Sequence, residues 1–280
     1  MKTIAPSLLV FSICLSFTYA EDPVHFEDPL LKERVEDTLQ RYEPRPSDML
    51  DLIELKCIYI DLSDLTGLEY AVNLQTLWVR HTDVWDVTPL ENLTSLVTLI
   101  INNNRIRDVS VLSNLINLEH LDMHDNKITD ISVVAGFTGL TTLIFRGNPV
   151  RNISPLTHLN SLQDLDLRWA SVSNILPLTE LSSLKNVVLV GNPISRTACE
   201  LYIPEIYANN PGVSIEYNCM PLRLTIASGP GGSVVDPGEG VFEYETRGYA
   251  PLIAEADFGF AFSHWSGDFS GKDASIELFM

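Results

Sequence analysis

The feature that most constrains this chain is an internal repeat with a period of 22 residues. Seven successive phrases begin with leucine at that spacing, and apolar residues recur at the fourth and sixth positions of each phrase. A period of this length, sustained over seven phrases, predicts a solenoid in which each coil packs only on its neighbours. The leucines that open the phrases are Leu52, Leu74, Leu96, Leu118, Leu140, Leu162 and Leu184.

Each phrase predicts one short strand, because the apolar residues at its fourth and sixth positions alternate with outward-facing ones. Prolines in the segments between strands favour turns or short 3-10 helices over α-helices. Residues 52–205 are therefore predicted to form a right-handed α/β leucine-rich repeat horseshoe of seven coils, with parallel strands on the concave face and turns or 3-10 segments on the convex face. The ninth position holds an amide that can bond backbone groups of stacked coils, at Asn104, Asn126, Asn148 and Asn192.

Two phrases, LVTLIINNNRIRDVSVLSNL and LEHLDMHDNKITDISVVAGF, resemble the 22-residue repeat class of internalin-like bacterial leucine-rich repeat proteins. The upstream segment FEDPLLKERVEDTLQRY is similar to the N-terminal cap of that family, and GNPISRTACELYIPEIYANNPGVSIEYN is similar to its terminal coil, helix and last strand. The resemblance implies a helical cap over residues 21–51 and a terminal cap strand with a linker over residues 206–221. It departs from the family pattern where Thr82 and Ala170 replace the ladder asparagine.

The residues of the N-terminal cap independently predict a helix. Asp28 followed by Pro29 is an N-cap and a first-turn proline. Leu31, Val35 and Leu39 then form one apolar stripe. Such a helix would cover the otherwise open end of the solenoid core.

Residues 1–20 are interpreted as a secretory signal peptide. Lys2 gives a positive start, residues 8–17 are apolar, and a small residue, Ala20, precedes the cleavage point. No later stretch approaches the roughly 18 apolar residues that span a bilayer, so we expect no membrane insertion. The formal charge of −19 opposes binding to nucleic acid or to an anionic membrane. The prediction is a secreted or cell-surface protein.

The composition changes at Pro221, where the repeat stops and glycines and aromatic residues take over. Residues 222–280 are predicted to form a small Gly-rich all-β module, with strands at 224–226, 241–244, 251–256 and 260–265. The GGSV turn, PGEG and GFAFSHWSGD resemble a β-repeat module that often follows leucine-rich solenoids in bacterial surface proteins. Because that module would continue with another strand after ASIELFM, we expect it to be incomplete here.

The sequence gives little support for catalysis. No GxSxG, HExxH or CxxC motif is present, and we expect neither an enzyme nor a cofactor. His120 and His124 flank Asp122, but residues four apart on a strand are roughly 13 Å apart, too far to share a zinc ion. A solvated His–Asp pair is the preferred interpretation, and no metal site is predicted.

A row of aspartates at the thirteenth position admits two interpretations. The row could bind calcium, but each carboxylate more often caps the turn that follows it. The row comprises Asp86, Asp108 and Asp130.

Three cysteines follow the predicted leader. Cys57 occupies a core position, where a thiol packs as a small apolar group. Cys199 and Cys219 bracket the terminal cap, and in an oxidising compartment they could close a loop of about 20 residues, worth about 3 kcal/mol. Two free thiols are the alternative.

The concave face is predicted to bind the ligand, because the third, fifth, seventh and eighth positions of each phrase point outward and vary. These columns hold four basic and five acidic residues, a near-neutral face on an acidic chain. Exposed Trp and Arg side chains frequently become hot spots, and Trp78 gains nothing from exposure unless a partner covers it. The alternative is a solvated face whose charges pair internally, such as Asp166 with Arg168. The predicted contact residues are Trp78, Arg80, His81, His120, Asp122, His124, Arg146, Asp166, Arg168 and Trp169.

Three functional hypotheses follow. The first is an exported, non-enzymatic recognition or adhesion protein that binds a protein or a glycan on its concave face, as the internalin resemblance implies. The second is a targeting or spacer region of a larger surface protein or enzyme that continues beyond residue 280. The third is an intracellular scaffold like a phosphatase-regulating subunit, which shares the 22-residue repeat but is opposed by the leader.

Overall fold

A computed structural model describes residues 21–220, 222–244, 249–258, 260–266, 272 and 275–279. The predicted signal peptide lies outside these described residues. No helix among them is long and apolar enough to cross a membrane.

The solenoid predicted from the repeat is confirmed. Eight parallel strands form one sheet in sequence order, and the register pairs residues 22 apart, such as Leu55 with Leu77 and Leu77 with Leu99. The apolar columns face the interior, and the fourth-position leucines of the first six strands are at most 2% exposed. The strands are β1 (Glu54–Ile58), β2 (Thr76–Arg80), β3 (Thr98–Ile100), β4 (His120–Asp122), β5 (Thr142–Ile144), β6 (Asp164–Asp166), β7 (Asn186–Val188) and β8 (Ser214–Glu216).

Short 3-10 helices on the convex side return the chain from each strand to the next, as the prolines predicted. All but the first begin after an apolar residue that is buried in the core, such as Val87 or Ile153, whereas the first begins after Gly67. They span Leu68–Tyr70, Thr88–Leu90, Ser110–Asn114, Ser132–Gly136, Ser154–Leu156 and Leu176–Glu180.

The buried asparagines join each coil to the one before it. The amide of Asn126 donates to the carbonyl of Met123 in its own coil (3.0 Å) and to that of Ile101 in the preceding coil (2.9 Å). Its Oδ1 accepts from the backbone N–H of Ile106 at 3.0 Å. Asn104, Asn148 and Asn192 repeat this pattern.

The second and sixth coils, which hold Thr82 and Ala170 instead of the asparagine, satisfy their turns differently. The hydroxyl of Thr82 donates to the Oδ1 of Asn104 in the next coil. At Ala170 no side chain can accept a hydrogen bond, and the N–H of Val150 donates instead to the carbonyl of Asn148 at 2.8 Å. The fold therefore tolerates a missing amide, because the neighbouring backbone can supply the acceptor.

The aspartate row lies on the convex turns. Each Oδ1 atom accepts a hydrogen bond from the backbone N–H two residues later, which favours the turn-capping interpretation over a calcium row. Among the described residues no group of three or more His, Cys, Asp or Glu is arranged to hold a metal ion. The pairs are Asp86 with Thr88 (2.8 Å), Asp108 with Ser110 (2.9 Å) and Asp130 with Ser132 (2.8 Å).

Helices close both ends of the solenoid. Helix α1 (Pro29–Leu39) begins at Asp28, whose carboxylate accepts from the N–H of Leu30, and it buries Leu31 and Val35. A short helix, α2 (Pro46–Met49), follows it. Helix α3 (Arg196–Asn209) replaces the convex segment of the seventh coil, and β8 then pairs with β7.

The C-terminal module consists of two small antiparallel sheets. Strand β9 (Leu222–Ile226) pairs with β11 (Gly240–Tyr244), and β12 (Tyr249–Ala256) lies between β10 (Gly232–Asp236) and β13 (Ser275–Phe279).

Two local predictions for the module, one of a turn and one of a strand, were wrong. The GGSV segment was expected to be a turn, but strand β10 begins at Gly232. The segment at residues 260–265 was expected to be a strand, but its backbone is irregular apart from a single bridge at Trp265. The aromatic ring of Phe260 instead lies against Gly231, where a Cβ atom would come within 2.4 Å of the ring.

Candidate functional site on the concave face

Two cations cover the indole of Trp78 on the first two coils. The Nζ atom of Lys56 lies 4.5 Å from the centroid of the Trp78 ring, and the Cζ atom of Arg80 lies 5.8 Å from it. Neighbouring coils create this stack, because Lys56 and Trp78 are register partners in β1 and β2. Trp78 was expected to be exposed, but its side chain is half-buried, with both cationic groups over its ring.

Three of the four concave cations are neutralised by carboxylates. Lys56 pairs with Glu54, and the Nη2 atom of Arg146 lies 3.6 Å from the Oδ2 atom of Asp125. Arg168 pairs with Asp166 in its own strand segment. The alternative of an internally paired face therefore holds for these three residues.

Asp166 fixes the guanidinium of Arg168. The Nε atom of Arg168 donates to both carboxylate oxygens at 3.0 Å, and its Nη2 atom donates to Oδ2 at 2.5 Å. These hydrogen bonds raise the pKa of Arg168 above its ordinary value. Arg168 is thus a cation whose charge is already balanced within its own strand.

Arg80 differs from the other three cations. Among the described residues no carboxylate forms an ion pair with it, and its Nε atom is buried without a hydrogen-bond partner. The Nε1 atom of the adjacent Trp78 is likewise buried and unpartnered. Unpaired buried donors cost free energy, so this corner of the concave face carries an unbalanced polar cost that the rest of the face does not show among the described residues.

A His–Asp pair occupies the centre of the face. The ring Nδ1 of His124 lies 2.6 Å from the Oδ1 of Asp122, and Asn102 donates to Oδ2 at 2.9 Å. Burial raises the pKa of Asp122. Hydrogen bonds from the His124 ring and backbone and from Asn102 lower the pKa by more than burial raises it, so the net pKa lies below its ordinary value. The third position of the same strand, His120, is exposed and does not join this pair.

The eighth position of each phrase adopts a left-handed backbone along one edge of the concave face. Asparagine, aspartate and glycine tolerate this conformation, whereas bulky side chains are strained in it. Tyr59, His81 and Trp169 nevertheless have φ values of 56°, 52° and 51°. The rings of Tyr59 and His81 stack at 4.3 Å, and Trp169 lies against Gly191 of the next coil while remaining 60% exposed.

The structure separates the predicted contact residues into three groups along the solenoid. Trp78, Arg80 and His81 lie on the second coil, His120, Asp122 and His124 on the fourth with Arg146 on the fifth, and Asp166, Arg168 and Trp169 on the sixth. Sequence reasoning left three neighbours out of the predicted contact set. Lys56 and Tyr59 precede Trp78 and His81 by one period and share their columns, which was a usable signal. The third neighbour, Asn102, is only 1% exposed, although its column faces outward.

The cysteines take up distinct positions. Sγ atoms of Cys199 and Cys219 are joined by a disulfide that ties α3 to the segment after β8, across 20 residues of sequence. Cys57 is buried in the solenoid core as a free thiol, and burial raises its pKa to about 12.

Comparisons with known proteins agree with this architecture. A family model for leucine-rich repeats, in two copies, matches residues 72–114 and 94–136. No curated protein sequence matches the chain.

Solved structures are similar over the solenoid. Internalin F from Listeria monocytogenes superposes with a TM-score of 0.66 at 23% identity, over 74% of this chain but only 62% of its own. Internalin C2 from the same organism superposes with a TM-score of 0.52 at 26% identity, over 69% of this chain and 97% of its own. The fold is an internalin-like leucine-rich repeat solenoid. Its contact residues remain predictions.

Proposed function

We propose that the chain is an exported recognition protein that binds a protein partner on the concave face of the solenoid and catalyses no reaction. The observation that carries this proposal is Arg80, the concave cation without a carboxylate partner among the described residues. It lies beside Trp78, whose indole N–H is also unpartnered.

A protein partner would satisfy this corner with a carboxylate. Such a group can accept from the guanidinium of Arg80 in a two-point arrangement. Trp and Arg are the residue types most enriched among hot spots. The remaining cations are already neutralised, so they contribute shape and polarity rather than net charge.

Three further observations support export and binding. The predicted leader favours secretion, the fold is similar to that of internalins, and a solenoid offers an extended concave surface. The same features favour a secreted or surface location over an intracellular scaffold.

The test is capture of a partner by the immobilised protein, followed by affinity measurements on variants. Arg80→Glu reverses the unpaired charge and is expected to weaken binding at least about tenfold, or about 1.4 kcal/mol. Arg151→Glu is the matched control, because Arg151 is exposed on the flank of the fifth coil, away from the concave columns. Thermal unfolding of both variants checks that the solenoid stays intact.

The affinity of a captured partner decides the proposal. If Arg80→Glu leaves affinity unchanged while Arg151→Glu abolishes binding, the concave assignment is wrong. If a second concave variant, Trp78→Phe, also weakens binding of the captured partner, the result supports the concave assignment.

A further inference from the structure

A second cleft lies on the flank of the solenoid, outside the concave face. It has a volume of about 500 Å³ and is lined by side chains of the second and third coils. Trp85 forms one wall and is 65% exposed. Asp86, Arg105, Arg107 and Asp108 contribute the polar lining.

The fold does not require tryptophan at position 85. Core packing in this part of the coil comes from the preceding column, where Val84 and Ile106 are fully buried. Small or charged residues fill the position equivalent to Trp85 in the other coils: Ser63, Arg107, Thr129, Arg151, Ser173 and Ser195. A single exposed apolar residue is common on protein surfaces, but this ring forms the wall of a polar cleft.

The polar groups of the cleft are held in place by the surrounding structure. An ion pair of 2.8 Å to Asp83 positions Arg105. The Oδ1 atoms of Asp86 and Asp108 accept from turn N–H groups, which fixes both carboxylates at the rim. Next to Trp85, in the same column of the following coil, Arg107 has no ion pair among the described residues. The cleft thus combines guanidinium donors and carboxylate acceptors with the indole of Trp85.

The charge of this lining selects among ligand classes. Two arginines and two aspartates line the cleft, so their formal charges sum to zero on a chain of net charge −19. The field of the whole protein repels an acidic peptide or a sulfated polymer. The two arginines, in turn, oppose a basic segment at close range.

We propose that this cleft binds an uncharged oligosaccharide. A pyranose ring with equatorial substituents presents a flat C–H face that packs on the indole of Trp85. Its hydroxyl groups each donate and accept, which matches the carboxylates of Asp86 and Asp108 and the guanidinium of Arg107. The site is separate from the concave face, so the protein would recognise a glycan and a protein partner on different surfaces.

Isothermal titration of the full chain with chitotetraose and with cellotetraose tests the proposal, because both are uncharged and have equatorial linkages. At least one is expected to bind with a dissociation constant below about 1 mM. Trp85→Ala is expected to weaken that binding at least about tenfold, and Arg107→Ala to weaken it to a smaller degree. The matched control is Trp169→Ala, since Trp169 is also an exposed tryptophan but lies at the concave edge.

Three outcomes would overturn the inference. They are no binding of either sugar, binding that survives Trp85→Ala, and displacement of a bound sugar by an oligoglutamate peptide. Arg80→Glu separates this inference from the proposed function, because it should leave sugar binding intact. Trp85→Ala should, in the same way, leave protein capture intact.

Discussion

The solenoid and the C-terminal module use the same kinds of element, short strands and turns, but they bury very different cores. In the solenoid one apolar cluster runs without interruption from Val24 to Val213. In the described part of the module the buried cluster consists of Ile226, Val234 and Leu252. Repetition explains the difference, because every coil buries its apolar residues against two neighbours, whereas small separate sheets have little to pack against.

The largest expected effect is the loss of unfolding free energy when a buried side chain is truncated to alanine, which should differ between the two regions. Phe137→Ala empties a fully buried site of the solenoid and is expected to lower its free energy of unfolding by about 3–5 kcal/mol. Leu252→Ala in the module is expected to change solenoid unfolding by less than about 0.5 kcal/mol, because the two sites share no contacts. Urea unfolding followed by far-UV circular dichroism measures both.

Limited proteolysis provides the matching control for this comparison. The first cuts are expected in residues 222–280, because few apolar side chains are buried in the part of this segment that the structure describes. Early cuts inside the coils with an intact module would contradict the view that the solenoid is the more stable region.

The disulfide at the boundary between the regions gives an effect of about the same size. Replacing both Cys199 and Cys219 with serine is expected to lower the free energy of unfolding by about 3 kcal/mol, since the bridge restricts a loop of about 20 residues in the unfolded chain. Mass spectrometry of unreduced protein should recover the two cysteine peptides as one linked species. If both thiols can be alkylated in unreduced protein taken from an oxidising compartment, the disulfide is not formed and the prediction is wrong. As the control, reductant should not change the free energy of unfolding of the double variant.

A smaller effect is expected from Asp122, which links the third and fourth coils through polar contacts rather than through the core. Asp122→Asn is expected to cost about 1–2 kcal/mol at pH 7, because it weakens the bonds to His124 and Asn102. The folded pKa of Asp122 is depressed, so this stabilisation is present above the ordinary carboxylate pKa of about 4 and is lost as the pH falls through the folded value.

Measurement of unfolding free energy from pH 7 down to pH 3 tests the prediction for Asp122. The gap between wild type and Asp122→Asn should narrow as the pH falls. Glu119→Gln, an exposed residue that directly precedes the same strand, is the control and should stay within about 0.5 kcal/mol. A gap that is constant with pH would show that the ionised carboxylate is not the stabilising species.

The sequence was sufficient for the solenoid because seven copies of one pattern corroborate each other. A single phrase of alternating apolar residues is ambiguous, but a column such as Leu55, Leu77 and Leu99 repeats at a fixed period and specifies strand, register and interior together. The module has no second copy of any phrase. Its segment at residues 260–265 alternates aromatic and small residues like a strand, and nothing in the sequence indicates that Phe260 packs on Gly231 instead.

The candidate site was only partly predictable for a related reason. Column positions placed Trp78, Arg80 and Arg168 on the concave face, because those positions depend on the backbone alone. Whether a cation covers an indole or pairs with a carboxylate depends on side-chain rotamers and on the adjacent coil, which the period does not specify. The contact of Lys56 with the ring of Trp78 and the burial of Asn102 are features of this kind, which the sequence period could not predict.

The asparagine ladder implies an order in which the coils can be completed, from the N-terminus to the C-terminus. Each amide satisfies the coil before it: the N–H of Ile106 needs Asn126, and that of Ile128 needs Asn148. A chain that emerges with its N-terminus first, from a ribosome or a translocation pore, therefore has an unfinished coil at its growing end wherever the next coil supplies such an asparagine. That end is closed when Asn210, at the end of α3, accepts from the N–H of Leu184 at 2.7 Å. The final helix is thus the point at which vectorial folding can stop.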